Sequence, residues 1–370
     1  MRYSKVLALG SAAALALGVA ACGSSKSNSS TSSNGGSSSS SSAALNGAGS
    51  TFQAPLVSEW ANRFKSSAGI TVNYQPVGSG AGIAQLTAGT VDFAGSDAVM
   101  KPEEVSAAAA KGTPVHLPIA LGAVTVSYNL SGVRSGLRLD GPTIANIFLG
   151  RVAKWNDASI AALNPGVTLP STTITVCHRS DASGTTANFT KFLAGQSPAW
   201  ARGPGTDKSV QWPTGTGARG NDGVAGCVKQ TSGAVGYVEQ AYALQSNFTT
   251  AAVKNRAGAY VEPSLAATSA AGEGAKPPAN LEFSTIDAPG ARSYPITAVT
   301  FQIVFQDVCK AGRSQGTAAS LKSWLTYILG PGQSVAPQLQ YAPLPASIQR
   351  MAQARVDALT CNGQPIQAAK

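Results

Sequence analysis

The pattern of apolar and polar positions becomes regular after residue 50. Four apolar side chains fall at helical spacing and share one face, namely Leu56, Val57, Trp60 and Phe64. Residues 70–74 then alternate as a strand, the glycine-rich segment 78–82 opens a second helix, and residues 91–94 form another apolar strand. Pro102 starts the next helix. This repeated order predicts an α/β fold whose ligand site lies at the carboxyl ends of strands.

Two apolar β segments are longer than the others. One extends from Leu117 to Asn129, and the second from Ile296 to Gln306. Long strands that leave one domain and return to it would form a two-segment hinge between two lobes. Between them, residues 262–292 are rich in Ala, Gly, Pro and Ser, which predicts an irregular surface connection.

The first 42 residues have the composition of an export signal followed by a tether. Arg2 and Lys5 precede an apolar run that ends in Ala20-Ala21-Cys22, which is typical of a lipoprotein signal peptide. The run is shorter than the ~20 apolar residues of a membrane span. We therefore expect residues 1–21 to be a signal peptide and Cys22 to carry lipid. The Ser-rich residues 22–42 would form a disordered tether at the outer face of the cytoplasmic membrane.

Composition and charge limit the kinds of ligand and partner that this protein is expected to bind. The chain has 370 residues, of which 43% are hydrophobic, and its net charge is +10. This length suggests two domains of ordinary size after the tether. Lys and Arg are scattered without interleaved aromatic residues, so we expect no nucleic-acid partner. A mild attraction for anions is the plainer consequence.

Cysteine usage agrees with export. Four cysteines follow the signal and the tether: Cys177, Cys227, Cys309 and Cys361. In an oxidising compartment they predict two disulfides, for which three pairings exist. The pairing of Cys177 with Cys227 and of Cys309 with Cys361 keeps each bridge within one half of the chain. No CxxC motif occurs, so we expect no structural zinc, no other metal and no cofactor.

Small hydroxyl residues and glycines recur where a strand or turn is followed by a helix. The stretches are Gly49-Ser50-Thr51-Phe52, Gly78-Ser79-Gly80, Ser96-Asp97 and the segment from Arg179 to Thr185. The first backbone N–H groups of a helix have no partners within the helix, and its dipole favours an anion there. Together these stretches predict a pocket for a small oxyanion, in which a guanidinium adds a bidentate contact.

The order and spacing of sequence blocks resemble the PstS-type periplasmic phosphate-binding proteins, the solute receptors of the phosphate ABC transporter. The resemblance covers nearly all of the mature chain. Its blocks are GAGSTFQAP at 47–55, VDFAGSDA at 91–98, IFLGRVAKWND at 147–157, RSDASGT at 179–185, GNDG at 220–223, GAVGYVE at 233–239 and YPIT at 294–297.

The resemblance implies a two-lobed periplasmic-binding-protein fold with a two-strand hinge and the ligand in the cleft. Lobe I would comprise residues 43–121 and 296–370, and lobe II residues 122–295. The implied phosphate ligands are Thr51, Phe52 through its N–H, Ser79, Asp97, Arg179, Ser183, Gly184 and Thr185. Asp181 would hold Arg179 in place, and the anion would close the hinge by contacting both lobes.

The resemblance, together with these patterns, implies a monomeric receptor that binds inorganic phosphate and delivers it to ABC permease subunits with their ATPase. A receptor for another tetrahedral oxyanion, such as sulfate, is the alternative among binding proteins. From another class, Gly312-Arg313-Ser314-Gln315-Gly316 fits the GxSxG motif of serine hydrolases. However, both histidines, His116 and His178, precede Ser314, whereas that fold places its histidine after the serine.

Overall fold

The computed structural model describes residues 44–369. The predicted signal peptide at 1–21, the lipidated Cys22 and the tether to residue 42 lie outside these residues. None of the helices in the described part of the chain has both the length and the apolar character required to cross a bilayer.

The described residues form a mixed α/β structure, as the alternation of strands and helices predicted. Its strands are β1 Leu45–Gly49, β2 Val72–Gln75, β3 Phe93–Ser96, β4 Pro114–Tyr128, β5 Arg138–Leu139, β6 Thr175–Arg179, β7 Thr216–Ala218, β8 Ala234–Glu239, β9 Thr249–Thr250, β10 Ala252–Lys254, β11 Tyr260–Val261, β12 Thr297–Phe305, β13 Thr360–Cys361 and β14 Gln364–Pro365. The helices are α1 Ala54–Ala68, α2 Ser79–Ala88, α3 Pro102–Ala108, α4 Gly141–Phe148, α5 Ala158–Leu163, α6 Gly184–Gln196, α7 Pro198–Arg202, α8 Gly220–Gln230, α9 Gln240–Gln245, α10 Leu265–Glu273, α11 Gln315–Leu329 and α12 Ala346–Asp357.

One curled sheet extends through the body in the order β2-β1-β3-β12-β4-β8-β6-β7, with β9 paired to β4 at the side. Strand β4 joins the two parts of this sheet. It pairs with β12 as far as Ala123, and from Val124 onwards it pairs with β8. Below, lobe I denotes β1, β2, β3 and β12 with helices α1 to α3, α11 and α12 and the loops between them. Lobe II denotes β6 to β8, the segments that connect them and helix α9.

Helix α1 follows directly from its apolar pattern. The four residues predicted to share a face are the four that it buries. Trp60 donates from Nε1 to the carbonyl of Gly332 at 2.7 Å, and the Phe64 ring packs edge-on against Trp324 with centroids 5.4 Å apart. Gly69 in the left-handed region ends the helix. The helix therefore covers one face of the lobe I sheet and fixes the loop that precedes it.

The prediction of an irregular connection at residues 262–292 is partly wrong. Residues Leu265–Glu273 form helix α10, which packs against β4 and buries Ala267, Thr268 and Ala271. The Ser264 side chain accepts from the Ala267 N–H at 3.2 Å and caps its start. Small side chains let this helix approach the sheet without the large apolar residues that mark other helices.

Both disulfides connect residues about 50 positions apart. The structure pairs Cys177 with Cys227 and Cys309 with Cys361. The first joins β6 to α8 within lobe II, and the second joins the segment after β12 to β13. Each bridge thus lies on one side of the partner change in β4, and neither links lobe I to lobe II.

Candidate functional site

The predicted site residues of lobe I follow strands or begin a helix. Thr51 and Phe52 lie two and three residues after the end of β1, Asp97 comes directly after β3, and Ser79 is the first residue of α2. Because β1 and β3 are parallel, their carboxyl ends meet at one edge of the sheet. All four residues are almost completely buried.

Lobe II supplies the other predicted residues from one strand and one helix start. Arg179 is the last residue of β6, and Gly184 and Thr185 begin α6. Ser183 is the N-cap of this helix, since its Oγ accepts from the Thr186 N–H at 3.2 Å. The hydroxyl of Ser183 thus satisfies the helix end at the position where an anion site was predicted.

Contacts between the lobes bring the two sets of residues together. The Ser79 Oγ accepts from the Gly184 N–H at 3.0 Å and lies 3.4 Å from the Asp97 N–H. Thr51 Oγ1 accepts from Asn221 Nδ2 at 2.8 Å, and the same amide lies 3.3 Å from Thr185 Oγ1. Residues of both predicted sets therefore meet along one interface between the lobes, which is called the cleft below.

Gly184 is required by the close approach of the lobes. A Cβ at this position would lie 2.7 Å from the backbone nitrogen and Oδ2 of Asp97 and 2.7 Å from Ser79 Oγ. A backbone atom cannot move aside as a flexible side chain can. Only glycine therefore permits the start of α6 to meet lobe I in this arrangement.

Arg179 is buried and held by Asp181. Its Nε donates to Asp181 Oδ1 at 2.7 Å, and its Nη2 donates to Oδ2 at 2.5 Å. Burial alone would raise the pKa of Asp181, but the hydrogen bonds and charge of Arg179 lower it below its ordinary value. The remaining Nη1 lies 3.5 Å from Thr185 Oγ1 and faces the cleft. Asp181 therefore contacts Nε and Nη2 of Arg179 at the same time.

Asp97 is the buried carboxyl group of the cleft. Its Oδ2 accepts from Ser50 Oγ at 2.5 Å and its Oδ1 from Thr300 Oγ1 at 2.7 Å. Burial raises the pKa of Asp97 to about 6, although both hydroxyls and the charge of Arg179 act in the opposite direction. At pH 7 and above the group is therefore mainly an ionised acceptor. It does not cap α3, which begins after Lys101.

The N–H of Phe52 has a partner within the loop. It donates to Ser50 Oγ at 3.0 Å, so Phe52, Ser50 and Asp97 form one chain of hydrogen bonds. The two carbonyls of this segment are also held, that of Thr51 by the Tyr242 hydroxyl at 2.7 Å and that of Phe52 by the Tyr341 hydroxyl at 2.6 Å. The backbone orientation at Thr51 and Phe52 is therefore tightly specified.

The sequence interpretation missed three residues that complete this network. Ser50 and Thr300 hold Asp97, and Asn221 joins Thr51 to Thr185. Ser50 and Asn221 lie within the blocks GAGSTFQAP and GNDG, so the resemblance already drew attention to these two segments. Thr300 lies inside the apolar strand β12, where the local pattern contains no such indication.

Two ion pairs, called the rim ion pairs below, connect the lobes beside the cleft. Lys101 contacts Asp207, and Lys208 Nζ lies 2.6 Å from Glu104 Oε2. Lys208 also accepts through its carbonyl from the Ser183 N–H at 2.8 Å. The rim ion pairs therefore adjoin the start of α6, which carries the site residues of lobe II.

The hydrolase alternative has no matching geometry in the described residues. Ser314 caps α11, with Oγ accepting from the Thr317 N–H at 3.0 Å. His116 Nε2 accepts from the Met100 N–H at 3.0 Å, and burial, aided by the charge of Lys208, lowers its pKa to about 4. Neither His116 nor His178 is hydrogen-bonded to Ser314 within residues 44–369, so a Ser–His pair is absent there.

Known proteins are similar to this sequence over most of its length. A family model described as a PBP superfamily domain matches residues 34–331. A phosphate-binding protein PstS from Xylella fastidiosa is 40% identical over 313 residues, which cover 84% of this chain and 84% of that protein. The chain belongs to the PstS family. The PstS protein of Haemophilus influenzae is 38% identical over 308 residues, covering 82% of this chain and 90% of that protein.

A solved structure agrees with the PstS-family fold. The phosphate-binding protein from Stenotrophomonas maltophilia superposes with a TM-score of 0.66 at 22% identity, covering 88% of this chain and 99% of that one. The predicted two-lobed periplasmic-binding-protein fold is thereby confirmed. Because PstS-family members are binding proteins, the chain is not an enzyme, and the serine hydrolase hypothesis for Ser314 is wrong.

Proposed function

We propose that this protein is an extracytoplasmic receptor that binds inorganic phosphate between its lobes and delivers it to an ABC permease for import. The observation that carries the proposal is the position of Asp97 and Arg179. A buried carboxyl group and a buried guanidinium line one cleft together with the N–H of Gly184 and several hydroxyls. A tetrahedral anion that carries a proton matches both charged groups.

The proposed ligand set combines one fixed cation with helix starts. Helices α2 and α6 begin at the cleft, so the partial positive charge of their first N–H groups adds to that of Arg179. Charge-assisted hydrogen bonds of this kind are about twice as strong as neutral ones. We propose as ligands Thr51, Phe52, Ser79, Asp97, Arg179, Ser183, Gly184 and Thr185, with Asp181 as the support of Arg179.

Asp97 favours phosphate over sulfate as the cargo. An ionised carboxylate repels an anion unless a hydrogen lies between them. Protonated phosphate carries such a hydrogen, whereas sulfate near neutral pH carries none. Each oxygen of Asp97 accepts one hydroxyl and retains a second lone pair that can accept a P–OH group. A carboxylate that faces sulfate would instead lose a hydrogen bond and add repulsion.

We propose that each lobe extends beyond the elements by which it was defined above, so that the whole of lobe I comprises residues 43–121 and 296–370 and the whole of lobe II comprises residues 122–295. The change of partner in β4 between Ala123 and Val124 supports this division, as does the pairing of Leu121 with Ala342. A ligand that contacts both lobes stabilises the closed state, because the open state makes only one set of contacts.

Attachment to the membrane through lipid on Cys22, after removal of residues 1–21, is part of the same proposal. The apolar run before Cys22 and the Ser-rich residues after it support this attachment. Cys22→Ala should leave the protein unprocessed or shed into the medium, which fractionation and mass spectrometry of the amino terminus would detect. Normal maturation of this variant, with the protein retained at the membrane, would contradict lipid anchoring.

Calorimetry of the mature protein tests the ligand. After bound anion has been removed by unfolding and refolding, we expect saturable binding of phosphate with one site and far weaker binding of sulfate. Native mass spectrometry of protein purified without added phosphate should show one retained phosphate. Sulfate binding as tight as phosphate would favour the alternative oxyanion receptor, and binding of neither anion would overturn the proposal.

A further inference from the structure

The hydroxyl of Tyr341 lies between two oxygen atoms. It is 2.6 Å from the carbonyl oxygen of Phe52 and 2.9 Å from Oε2 of Glu239. A phenol has one hydrogen, so Tyr341 cannot donate to both oxygens at once. One of the two contacts must receive its hydrogen from elsewhere. Because a carbonyl has no hydrogen to give, the candidate donor is the carboxyl group of Glu239.

Glu239 is fully buried at the point where β4 changes partner. It pairs in register with Val124, the first residue of β4 that belongs to the second part of the sheet. Its Oε2 also accepts from the Ala241 N–H at 2.8 Å, whereas its Oε1 has no hydrogen-bond partner among the described residues. Ionised Glu239 would leave negative charge on an oxygen without any donor, which is strongly unfavourable in a dry interior.

The charges around Glu239 also disfavour its ionised form, which would be a second negative group close to Asp97. Asp97, after β3, acts on Glu239 by repulsion, and Tyr341 supplies the one side-chain hydroxyl bonded to it. Burial raises the pKa of the neighbouring Tyr242 hydroxyl on α9. The charges of Glu239, Asp222 and Asp97 add to this rise, and the charge of Arg179 at the end of β6 opposes it. Burial raises the pKa of the Glu239 carboxyl well above its ordinary value, and its hydrogen bonds do not cancel this rise.

The position of Glu239 at the start of a helix favours the ionised form of its carboxyl group. Glu239 is the N-cap of α9, and a carboxylate is stabilised at a helix start. This helix has only six residues, and the N–H groups that act on the carboxyl group are those of Ala241, at 2.8 Å, and Gln240, whose effect is the weaker one. The Ala241 N–H can bond to Oε2 of the neutral acid as well, because that oxygen keeps a lone pair. The cap is therefore compatible with a proton on Glu239.

We propose that Glu239 is a neutral, protonated acid that donates through Oε2 to Tyr341, so that the Tyr341 hydrogen is free for the carbonyl of Phe52. The proposal rests on the proposed function, in which Phe52 is a phosphate ligand and its N–H, which donates to Ser50 Oγ in this structure, turns to the anion. Glu239 and Tyr341 are then positioning residues for the loop that contains Thr51 and Phe52. Tyr242 fixes the preceding carbonyl of Thr51 directly, and the Glu239–Tyr341 pair fixes the next one.

Infrared difference spectroscopy of the mature protein tests the proton directly. At pH 7.5 the native spectrum minus that of Glu239→Gln should contain the carbonyl band of a protonated carboxylic acid, shifted in deuterium oxide. Glu273→Gln, which changes an exposed carboxylate, should give no such band. Only a carboxylate band in the Glu239 difference spectrum would overturn the proposal. This readout does not require phosphate to be the ligand.

Phosphate titrations of the same variants test the positioning role. Glutamine is neutral and its amide can donate to Tyr341, so Glu239→Gln should keep phosphate affinity within about threefold of the native protein. Tyr341→Phe should lower it about tenfold, provided that its circular dichroism spectrum remains native. If Glu239 were ionised, Glu239→Gln would remove a negative charge near an anion and tighten binding beyond threefold. Absence of phosphate binding in the native protein would instead overturn the proposed function.

Discussion

Arg179 and Asp181 form a two-point ion pair inside the cleft, with Nε 2.7 Å from Oδ1 and Nη2 2.5 Å from Oδ2. The pair fixes the plane of the guanidinium and leaves Nη1 directed at Thr185. Because Asp181 also accepts from the Gly220 N–H at 3.1 Å, it is held in turn by the start of α8. The cation is therefore oriented before any ligand arrives.

Replacing Arg179 by Ala should weaken phosphate binding by about 2 kcal/mol or more, roughly 30-fold, because the strongest charge-assisted contact is lost. Isothermal titration would measure the change. Arg313→Ala is the matched control, since Arg313 also forms an ion pair, with Asp92 at 2.9 Å, but lies outside the cleft. We expect this control to affect stability and to leave affinity unchanged. An unaltered dissociation constant for Arg179→Ala would place this arginine outside the binding site.

Selectivity against sulfate should depend on pH through Asp97. With a pKa of about 6, this carboxyl is mainly ionised at pH 7 and mainly protonated at pH 5. The protonated form can donate to sulfate, so sulfate affinity should rise about tenfold as the pH falls from 7 to 5. Asp97→Asn should bind sulfate more tightly than the native protein at pH 7, because its amide can donate.

Competition between sulfate and labelled phosphate at a series of pH values would measure this effect. In Asp97→Asn the sulfate affinity should not change over the same range, which makes the variant its own control for other titrating groups. Equal sulfate affinity in the native protein and in Asp97→Asn at pH 7 would show that this carboxyl is not the selectivity filter.

The local pattern of apolar, polar and small residues was sufficient to predict the helices and loops that carry the candidate site residues. The apolar periodicity of α1 specifies its buried face, and the small residues after β1 and β3 mark the loops that contain Thr51 and Asp97. Both signals extend over fewer than twenty residues. The resemblance to a known family then assigned roles that residue type alone leaves open, since Ser183 by itself is equally well explained as a helix cap.

Contacts between distant segments could not be predicted in this way. Thr300 bonds to Asp97 across 203 residues of sequence, because β12 returns to pair antiparallel with β3. The choice among three cysteine pairings likewise depends on distances in the folded chain. Helix α10 was missed for another reason: its buried face consists of Ala, Thr and Gly, so the pattern contrasts little with that of a polar loop.

Enlarging Gly184 should prevent closure. The added Cβ of Gly184→Ala would lie 2.7 Å from the backbone nitrogen of Asp97, so the lobes must remain further apart. We expect phosphate affinity to fall at least about tenfold, which corresponds to the loss of one or two hydrogen bonds. Small-angle scattering with saturating phosphate should show an expanded molecule.

A matched control lies on the same helix. A Cβ at Gly195 meets nothing within 4 Å, so Gly195→Ala should leave binding unchanged and stabilise α6 by about 0.5–1 kcal/mol. Native affinity in Gly184→Ala would indicate that the ligand-bound state is more open than the arrangement of the lobes in this structure.

The rim ion pairs should slow the release of phosphate. Lys208 is almost fully buried and Glu104 is largely so, and their contact can form only when the lobes meet. Removing one partner of a buried pair leaves an uncompensated charge. Lys208→Met should therefore raise the dissociation rate about tenfold, as measured by stopped-flow displacement of phosphate, with little effect on association.

A double-mutant cycle isolates the ion pair from other effects of Lys208. In a Glu104→Gln background the Lys208→Met substitution should have little further effect, since its partner charge is already gone. Arg63→Met is the matched control, because Arg63 pairs with Glu59 at 2.7 Å on the exposed surface of α1. Pairs of that kind contribute about 0–1 kcal/mol and do not connect the lobes, so the dissociation rate should not change. Equal effects of Lys208→Met in both backgrounds would show that Lys208 acts through contacts other than Glu104.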